Sequence, residues 1–213
     1  MTTPYLTIKT TGTAEIIIKK SQFICNVARC NTKEEAEAFI NQIKTLHRQA
    51  THNCFAYMVG ENDQIKRQSD NGEPAGTAGV PILDVLEKMQ LHDTVVVVTR
   101  YFGGIKLGTG GLIRAYSKAA STGIRQTGVV KKVLQQEVNL TLSYPNLGKL
   151  QNFLETKQIP IIATDYSEKV KVSLALDQTE ITSLTAQITD LFNAQIDIDL
   201  GEVGYQEIEI NLN

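Results

Sequence analysis

A glycine-rich stretch in the middle of the chain has the residue types of an anion-binding loop. Five of the nine residues in this stretch are glycine, namely Gly103, Gly104, Gly108, Gly110 and Gly111. Glycine lets backbone N–H groups approach a ligand closely, and the free amides at the start of a helix carry about half a positive charge. A helix is predicted from Leu112, directly after the stretch. The pattern is therefore typical of a site for a phosphate or a carboxylate.

Two nucleotide-binding motifs can be tested against this spacing, and neither fits. A Walker loop requires lysine and then serine or threonine after its second glycine, whereas Gly108 is followed by Thr109 and another glycine. A dinucleotide fingerprint that starts at Gly108 would place Ile113 at its third glycine. It also requires an acidic residue about 20 positions later. No acidic residue occurs between Asp93 and Glu137.

Positive charge is concentrated in the same part of the chain. Residues 94–136 carry 7 basic and no acidic side chains, although the net charge of the whole chain is −2. On a helix Arg114, Lys118, Ser121 and Arg125 would share one face, which predicts a surface for RNA, the ribosome or an acidic protein. A solvated helix face without a partner is the alternative explanation. The predicted binding residues are the five glycines together with Arg100, Tyr101, Lys106, Arg114, Lys118 and Arg125.

A second candidate site consists of His52, Asp70, Glu73 and Arg100. The two carboxylates are separated by an Asn-Gly turn, and Arg100 ends a predicted strand, where ligands of α/β sheets commonly bind. Paired carboxylates can act as acid and base or hold Mg²⁺, but they can equally cap turns or pair with the arginine. The alternative function is therefore an enzyme that acts in this cleft on a small molecule of unknown identity, such as a phosphorylated metabolite.

His52 and Cys54 would share a face of a strand, because they lie two residues apart. Such a pair could supply a thiolate nucleophile or part of a zinc site. Zinc requires two more ligands, and Cys25, Cys30 and His47 show no paired spacing. The sequence therefore predicts no metal and no cofactor, and the interpretation as a binding protein requires no catalysis.

The elements that must position these residues form two predicted domains. Up to about residue 130 strands and helices are mixed, with one helix opened by Thr32 and Glu35 and a strand, TVVVVTRYF, buried on both faces. From about residue 136 the order is β-α-β-β-α-β, that of a ferredoxin-like domain, with its second helix capped by Asp177. We expect an α+β protein with domains at 1–133 and 134–213.

Composition limits where the protein works. Three cysteines are too few for a disulfide framework, which favours a reducing compartment. The N-terminal MTTPYLTIKTTGT lacks the apolar core of a signal peptide, and the aliphatic runs are too short to span a membrane. We expect a cytoplasmic protein without membrane association, of undetermined oligomeric state.

The run RYFGGIKLGTGGLIRAYSKAA, preceded by THNCFAY and SDNGEPAGTAG, resembles the IMPACT family of YigZ-like proteins over roughly residues 20–130. The resemblance implies an N-terminal domain with the fold of elongation factor G domain IV and a C-terminal domain like that factor's last domain. Asn71 stands where the family commonly has a second aspartate. The family's motif residues fall on His52, Asp70, Glu73, Arg100, Tyr101, the five glycines and Arg114.

The resemblance also implies a function. Eukaryotic relatives regulate translation initiation by competing for the ribosome-associated activator of a stress kinase. For bacterial members, binding to nucleic acid or the ribosome is inferred from the fold. We therefore expect a translation-linked regulatory binding protein.

Overall fold

The computed structural model describes residues 4–60 and 63–210, which form two compact units. The first unit comprises residues 4–132 and 207–210, and the second comprises residues 133–206. Both units combine helices with a β-sheet, so the expected α+β class is confirmed. The ends of the predicted domains, residues 1–3 and 211–213, lie outside the described residues.

The elements of the first unit follow in the order β1 (Tyr5–Ile8), β2 (Gly12–Ile18), β3 (Ser21–Arg29), α1 (Lys33–Leu46), β4 (His52–Val59), β5 (Ile65–Ser69), α2 (Gly79–Lys88), β6 (Thr94–Tyr101) and α3 (Thr109–Thr127). Strands β2 to β6 form one antiparallel sheet in the order β2-β3-β6-β4-β5. The sequence pattern predicts neither β1 nor β5, because β1 is short and β5 is mostly polar and exposed.

Helices cover both faces of this sheet. Val96 and Val98 of β6 pack with α2 and α3 on one face, whereas Val95 and Val97 pack with α1 on the other. All four valines are fully buried, so the predicted two-sided burial of this strand is confirmed. Two-sided burial requires an apolar side chain at every position, which explains the continuous valine run.

The predicted start of α1 is also confirmed. The Thr32 hydroxyl accepts a hydrogen bond from the Glu35 amide at 3.2 Å. The Glu35 carboxylate in turn accepts from the Asn31 amide at 2.7 Å. These contacts satisfy amides that have no partner inside the helix.

The second unit has the predicted β-α-β-β-α-β order. Its elements are β7 (Val129–Leu142), a 3₁₀ turn (Tyr144–Asn146), α4 (Leu147–Thr156), β8 (Ile161–Tyr166), β9 (Val170–Leu176), α5 (Gln178–Leu191) and β10 (Asp197–Ile210). The strands pair in the order β10-β7-β9-β8, a split βαβ arrangement. The first residues of β7, 129–132, belong to the first unit, where they pair with β1.

The predicted cap of α5 is wrong in its contact. Asp177 does directly precede the helix, but its side chain makes no capping hydrogen bond. One carboxylate oxygen instead accepts a hydrogen bond from Gln135 Nε2 at 3.1 Å.

Among the residues described, no helix is both long enough and apolar enough to cross a lipid bilayer.

Helix α3 approaches the sheet very closely at Gly123. A Cβ added there would lie 3.0 Å from Cys25 Cβ and 3.2 Å from Val27 Cγ2, and closer still to the Cys25 sulfur. Both β3 residues are fully buried, so they have little room to move. The close packing of α3 against β3 therefore requires glycine at position 123.

We expect Gly123→Ala to lower the free energy of unfolding by about 1–3 kcal/mol, because it overpacks this contact. The loss should appear although alanine favours a helix by about 1 kcal/mol. Urea unfolding measures it. The control is Gly148→Ala in α4, where an added Cβ meets no atom within 4 Å and stability should stay equal or rise. Equal stability of the two variants would contradict the packing argument.

Candidate nucleic-acid interface

Strand register sets three side chains side by side at one end of the first unit's sheet. Arg100, near the end of β6, is paired with Phe23 on β3 and with His52 on β4. Directly paired residues of antiparallel strands point to the same face, here the face covered by α2 and α3. The Arg100 guanidinium lies 5.4 Å from the centre of the Phe23 ring.

A buried ion pair joins this end of the sheet to the loop before α2. Arg100 Nη1 donates to Glu73 Oε1 at 2.6 Å, and the Tyr116 hydroxyl of α3 donates to the same oxygen at 2.8 Å. Only 5% of Arg100 and 8% of Glu73 is exposed. Burial raises the pKa of Tyr116, which keeps its hydroxyl a donor. His52 Nε2 lies 3.8 Å from the other oxygen of Glu73.

The Asp70 backbone carbonyl accepts a hydrogen bond from the Glu73 amide at 3.0 Å, but the Asp70 carboxylate has its partners in the segment that leads into α2. One of its oxygens accepts from the amides of Ala78 and Gly79, and the other accepts from the amide of Gly76, each at 2.9 Å. Burial by itself raises the pKa of Asp70, but the donated amide hydrogen bonds outweigh it and hold this pKa below its ordinary value. Asp70 therefore stabilises the turn that leads into α2, which agrees with the alternative that this carboxylate caps a turn.

The Cys54 thiol is unsuited to nucleophilic chemistry. Burial raises the pKa of Cys54 to about 12, so the thiolate is scarcely populated at neutral pH. The sulfur donates to the backbone carbonyl of Asp70 at 2.9 Å. Within residues 4–60 and 63–210, no three His, Cys, Asp or Glu side chains lie close enough together to hold a metal ion.

The loop after β6 packs against a strained two-residue turn. Lys19 and Lys20 connect β2 to β3 with φ angles of 45° and 63°, a left-handed conformation that costs energy for lysine. A Cβ at Gly103 would lie only 2.5 Å from the Ser21 nitrogen that follows them. Glycine is therefore required there, and both lysine side chains are exposed.

Sequence reasoning missed these two lysines as candidate binding residues. The signal was present, because two residues between two predicted strands indicate a hairpin turn. Lys-Lys is not a usual composition for that turn, which favours residues that adopt positive φ easily.

Helix α3 begins with open backbone amides. It starts at Thr109, earlier than the predicted Leu112, and its capping residue is Gly108, with a φ of 72°. In the described part of the chain, no side chain accepts a hydrogen bond from the first amides of the helix. A Cβ at Gly110 would lie 3.6 Å from Arg114 Nη1, so this guanidinium lies beside the first turn. The arrangement can bind an anion through amides and guanidinium together.

The exposed face of α3 is cationic. Arg114, Lys118 and Arg125 are exposed, as is Lys106 in the loop, whereas Tyr116 on the opposite side is fully buried. None of the four cations lies within ion-pair distance of a carboxylate of the described residues. Arg125 has a different setting, because it lines a cavity together with the ion-paired Lys9 and Glu209.

Tyr101 does not join the other predicted binding residues. Side chains alternate along a strand, so Tyr101 points to the face opposite that of Arg100. Its hydroxyl lies 3.0 Å from His47 Nδ1, at the end of α1. The residue that follows it, Phe102, does face the candidate site, and the sequence analysis did not select it.

Phe102 lines a cavity at the start of α3. The ring is 47% exposed, and its centre lies 5.5 Å from the Arg100 guanidinium carbon. The Phe102 amide donates to the Thr51 hydroxyl at 3.1 Å. The cavity has a volume of about 450 Å³, and His52, Glu73, Lys106, Leu107, Thr109 and Leu112 also line it.

Comparison with known proteins places this site in a family. The Impact N-terminal domain matches residues 19–124, and the Domain of unknown function (DUF1949) matches residues 140–195. IMPACT family member YvyE of Bacillus subtilis is 47% identical over 207 residues, which cover 97% of this chain and 95% of that protein. The chain belongs to the IMPACT family. The resemblance based on the glycine motif is thereby confirmed.

A further IMPACT family member and a solved structure are also similar to this chain. IMPACT family member YigZ of Escherichia coli is 34% identical over 183 residues, covering 85% of this chain and 90% of YigZ. A crystal structure described as that of a hypothetical protein has a TM-score of 0.60 at 32% identity, over 93% of this chain and 97% of that one. The matched N-terminal domain contains the cavity, the glycine loop and nearly all of α3.

We expect Asp70→Asn to lower the free energy of unfolding by about 1–2 kcal/mol at neutral pH, because it weakens charge-assisted hydrogen bonds to the start of α2. The folded-state pKa of Asp70 is depressed, so its stabilising effect is present above the ordinary value of 3.8 and is lost as pH falls through the folded pKa.

Urea unfolding of both proteins between about pH 3 and pH 7 checks this expectation. The difference in unfolding free energy should be constant above about pH 5 and should shrink below 3.8. A difference that grows towards low pH would contradict it. Asp84→Asn is the control, since Asp84 in α2 accepts no hydrogen bond from another described residue.

Proposed function

We propose that this IMPACT-family chain is a translation-linked binding protein whose first unit engages RNA through a cationic surface. The cationic surface is formed by the open amides at the start of α3 and by Lys19, Lys20, Lys106, Arg114 and Lys118. The observation that carries the proposal is the position of the Arg114 guanidinium beside the first amides of α3: among the described residues, no side chain accepts from these amides and no carboxylate lies within ion-pair distance of Arg114. Phosphate is the anion that such a fork of donors fits best.

The number of charges limits the strength of this interaction. A patch of five cationic side chains releases few counterions, so binding is salt-sensitive and does not by itself select a sequence. The whole chain carries a net charge of −2, which disfavours general attraction to nucleic acid. The contact is therefore local, such as one exposed segment of a folded or ribosomal RNA.

The link to translation comes from family resemblance and not from the geometry. The exposed cations support RNA as the partner, and the family resemblance supports a role in translation. An acidic protein would meet the same cations, and it is distinguished from RNA by the test below.

The test neutralises two cations of α3 with Arg114→Gln and Lys118→Gln in one variant. Both side chains are exposed, so the fold should persist. Binding to a labelled single-stranded RNA should weaken, and the slope of log affinity against log salt should become shallower by about 1.4, because two phosphate contacts are lost. Fluorescence anisotropy at several salt concentrations measures the slope, and co-sedimentation with ribosomes at low salt provides a second readout.

The matched control is Arg48→Gln with Lys88→Gln, which removes the same charge from other exposed positions of the first unit. The control should keep the wild-type affinity and slope. Equal losses in the two variants would mean that net charge alone matters, and the proposed surface would be wrong. If the wild-type protein binds neither RNA nor ribosomes but does bind an acidic protein, the partner is an acidic protein and the proposal of RNA is wrong.

A further inference from the structure

We infer that the cavity at the start of α3 binds one unpaired nucleotide of a single-stranded RNA, with its base on the Phe102 ring and its phosphate at the α3 amides. The inference rests on the proposed function and specifies its ligand. Its basis is that one cavity of the first unit is lined by an aromatic ring, by the start of α3 with its open amides, and by Lys106, which has no ion-pair partner among the described residues.

The Phe102 side chain is about half exposed, and contacts on both its backbone and its ring hold it in place. Its amide hydrogen bond to the Thr51 hydroxyl fixes the backbone, and the Arg100 guanidinium 5.5 Å from the ring centre supports the side chain. Cation–π attraction of this kind favours a fixed ring orientation. An exposed ring that is already ordered loses little entropy on stacking, so it suits a nucleobase.

The opposite end of the cavity is suited to a phosphate. Lys106, Gly108 and Thr109 line it, and the amides at the start of α3 have no side-chain partner among the described residues. The carboxylate that lines the cavity, Glu73, is already paired with Arg100 and Tyr116. Lys106 and the amides at the start of α3 therefore make the electrostatic potential at this end of the cavity positive.

The floor and the size of the cavity also favour a ligand. Arg100 is 5% exposed, yet its Nε has no hydrogen-bond partner among the described residues. A buried unpaired donor is unusual and commonly marks a place where a ligand or water completes the structure. The volume of about 450 Å³ lies within the range of small-molecule sites, roughly 300–1,000 Å³.

Single-stranded RNA fits these features better than a duplex. In a duplex the base faces are stacked and hidden, so only phosphates and groove edges could contact the surface. Phosphate contacts make use of the cations but leave the exposed Phe102 ring without a role. An unpaired base can cover the Phe102 ring, since every base has a face for stacking.

The chain contains no tryptophan, so Phe102→Trp introduces a single fluorescent reporter at the proposed stacking position. Titration with a single-stranded RNA of about 12 nucleotides should quench its emission. The duplex of the same sequence should leave the emission unchanged. The control reporter is Tyr166→Trp, an exposed position of the second unit, which should not respond to either RNA.

Affinity provides an independent readout. Phe102→Leu keeps an apolar side chain but removes the ring, and it should weaken binding of the single strand by about 5- to 150-fold, the range measured for one stacked base. Phe102→Tyr keeps the ring and should bind like the wild type. Ile105→Ala, a matched loss of exposed apolar surface without a ring, should change affinity less than about twofold.

The outcomes separate the two proposals. The single strand could bind with a salt slope that depends on Arg114 and Lys118, yet cause no quenching and be unaffected by Phe102→Leu. In that case the nucleotide pocket is wrong, whereas the proposed RNA-binding surface is retained. If the wild type binds neither RNA, the proposed function is wrong, and the pocket inference falls with it. Quenching by uridine monophosphate in a protein that binds no RNA would overturn both in favour of a small-molecule site.

Discussion

The arrangement of the candidate site depends on the buried ion pair between Arg100 and Glu73. Arg100 lies near the end of β6, Glu73 lies in the loop before α2, and the Tyr116 hydroxyl of α3 donates to the same carboxylate. Removing one partner would leave an uncompensated buried charge, which costs about 3–5 kcal/mol. Three parts of the chain are therefore fixed relative to one another. Phe102 and the glycine loop follow Arg100 directly, so their position depends on the same pair.

The motif residues of this family divide into two physical groups. His52, Asp70, Glu73 and Arg100 are engaged within the protein, where hydrogen bonds and the ion pair occupy most of their polar atoms, with the Arg100 Nε as an exception. Residues of the second group, such as Gly110 and Arg114, leave their donors open to solvent. The first group stabilises the fold around the cavity, and the second group provides the exposed donors of the cationic surface. Under the proposed function, the contacts of the first group hold the binding surface in place.

The sequence predicted the long periodic elements well, because their burial follows simple rules. The valine strand β6 and the cap of α1 follow from side-chain alternation and from hydrogen-bonding needs at a helix start. Short or polar elements were missed: β1 and β5 carry too few apolar residues to form a pattern. Asp177 was predicted to cap α5, but Gln135, a long-range partner, competes for its carboxylate. Such competition is invisible in local sequence.

For the site, sequence alone indicated the cationic helix face and the glycine loop, since charge and glycine content are properties of composition and spacing. Convergence of His52, Glu73 and Arg100 was proposed but not determined, because it requires the register of β4 against β6. Only the tertiary structure showed that the Asp70 carboxylate bonds to amides before α2 and that the Lys20 backbone packs against Gly103. Local sequence determines which groups can donate or carry charge. Packing between distant segments decides which of those groups are consumed inside the protein and which stay available for a partner.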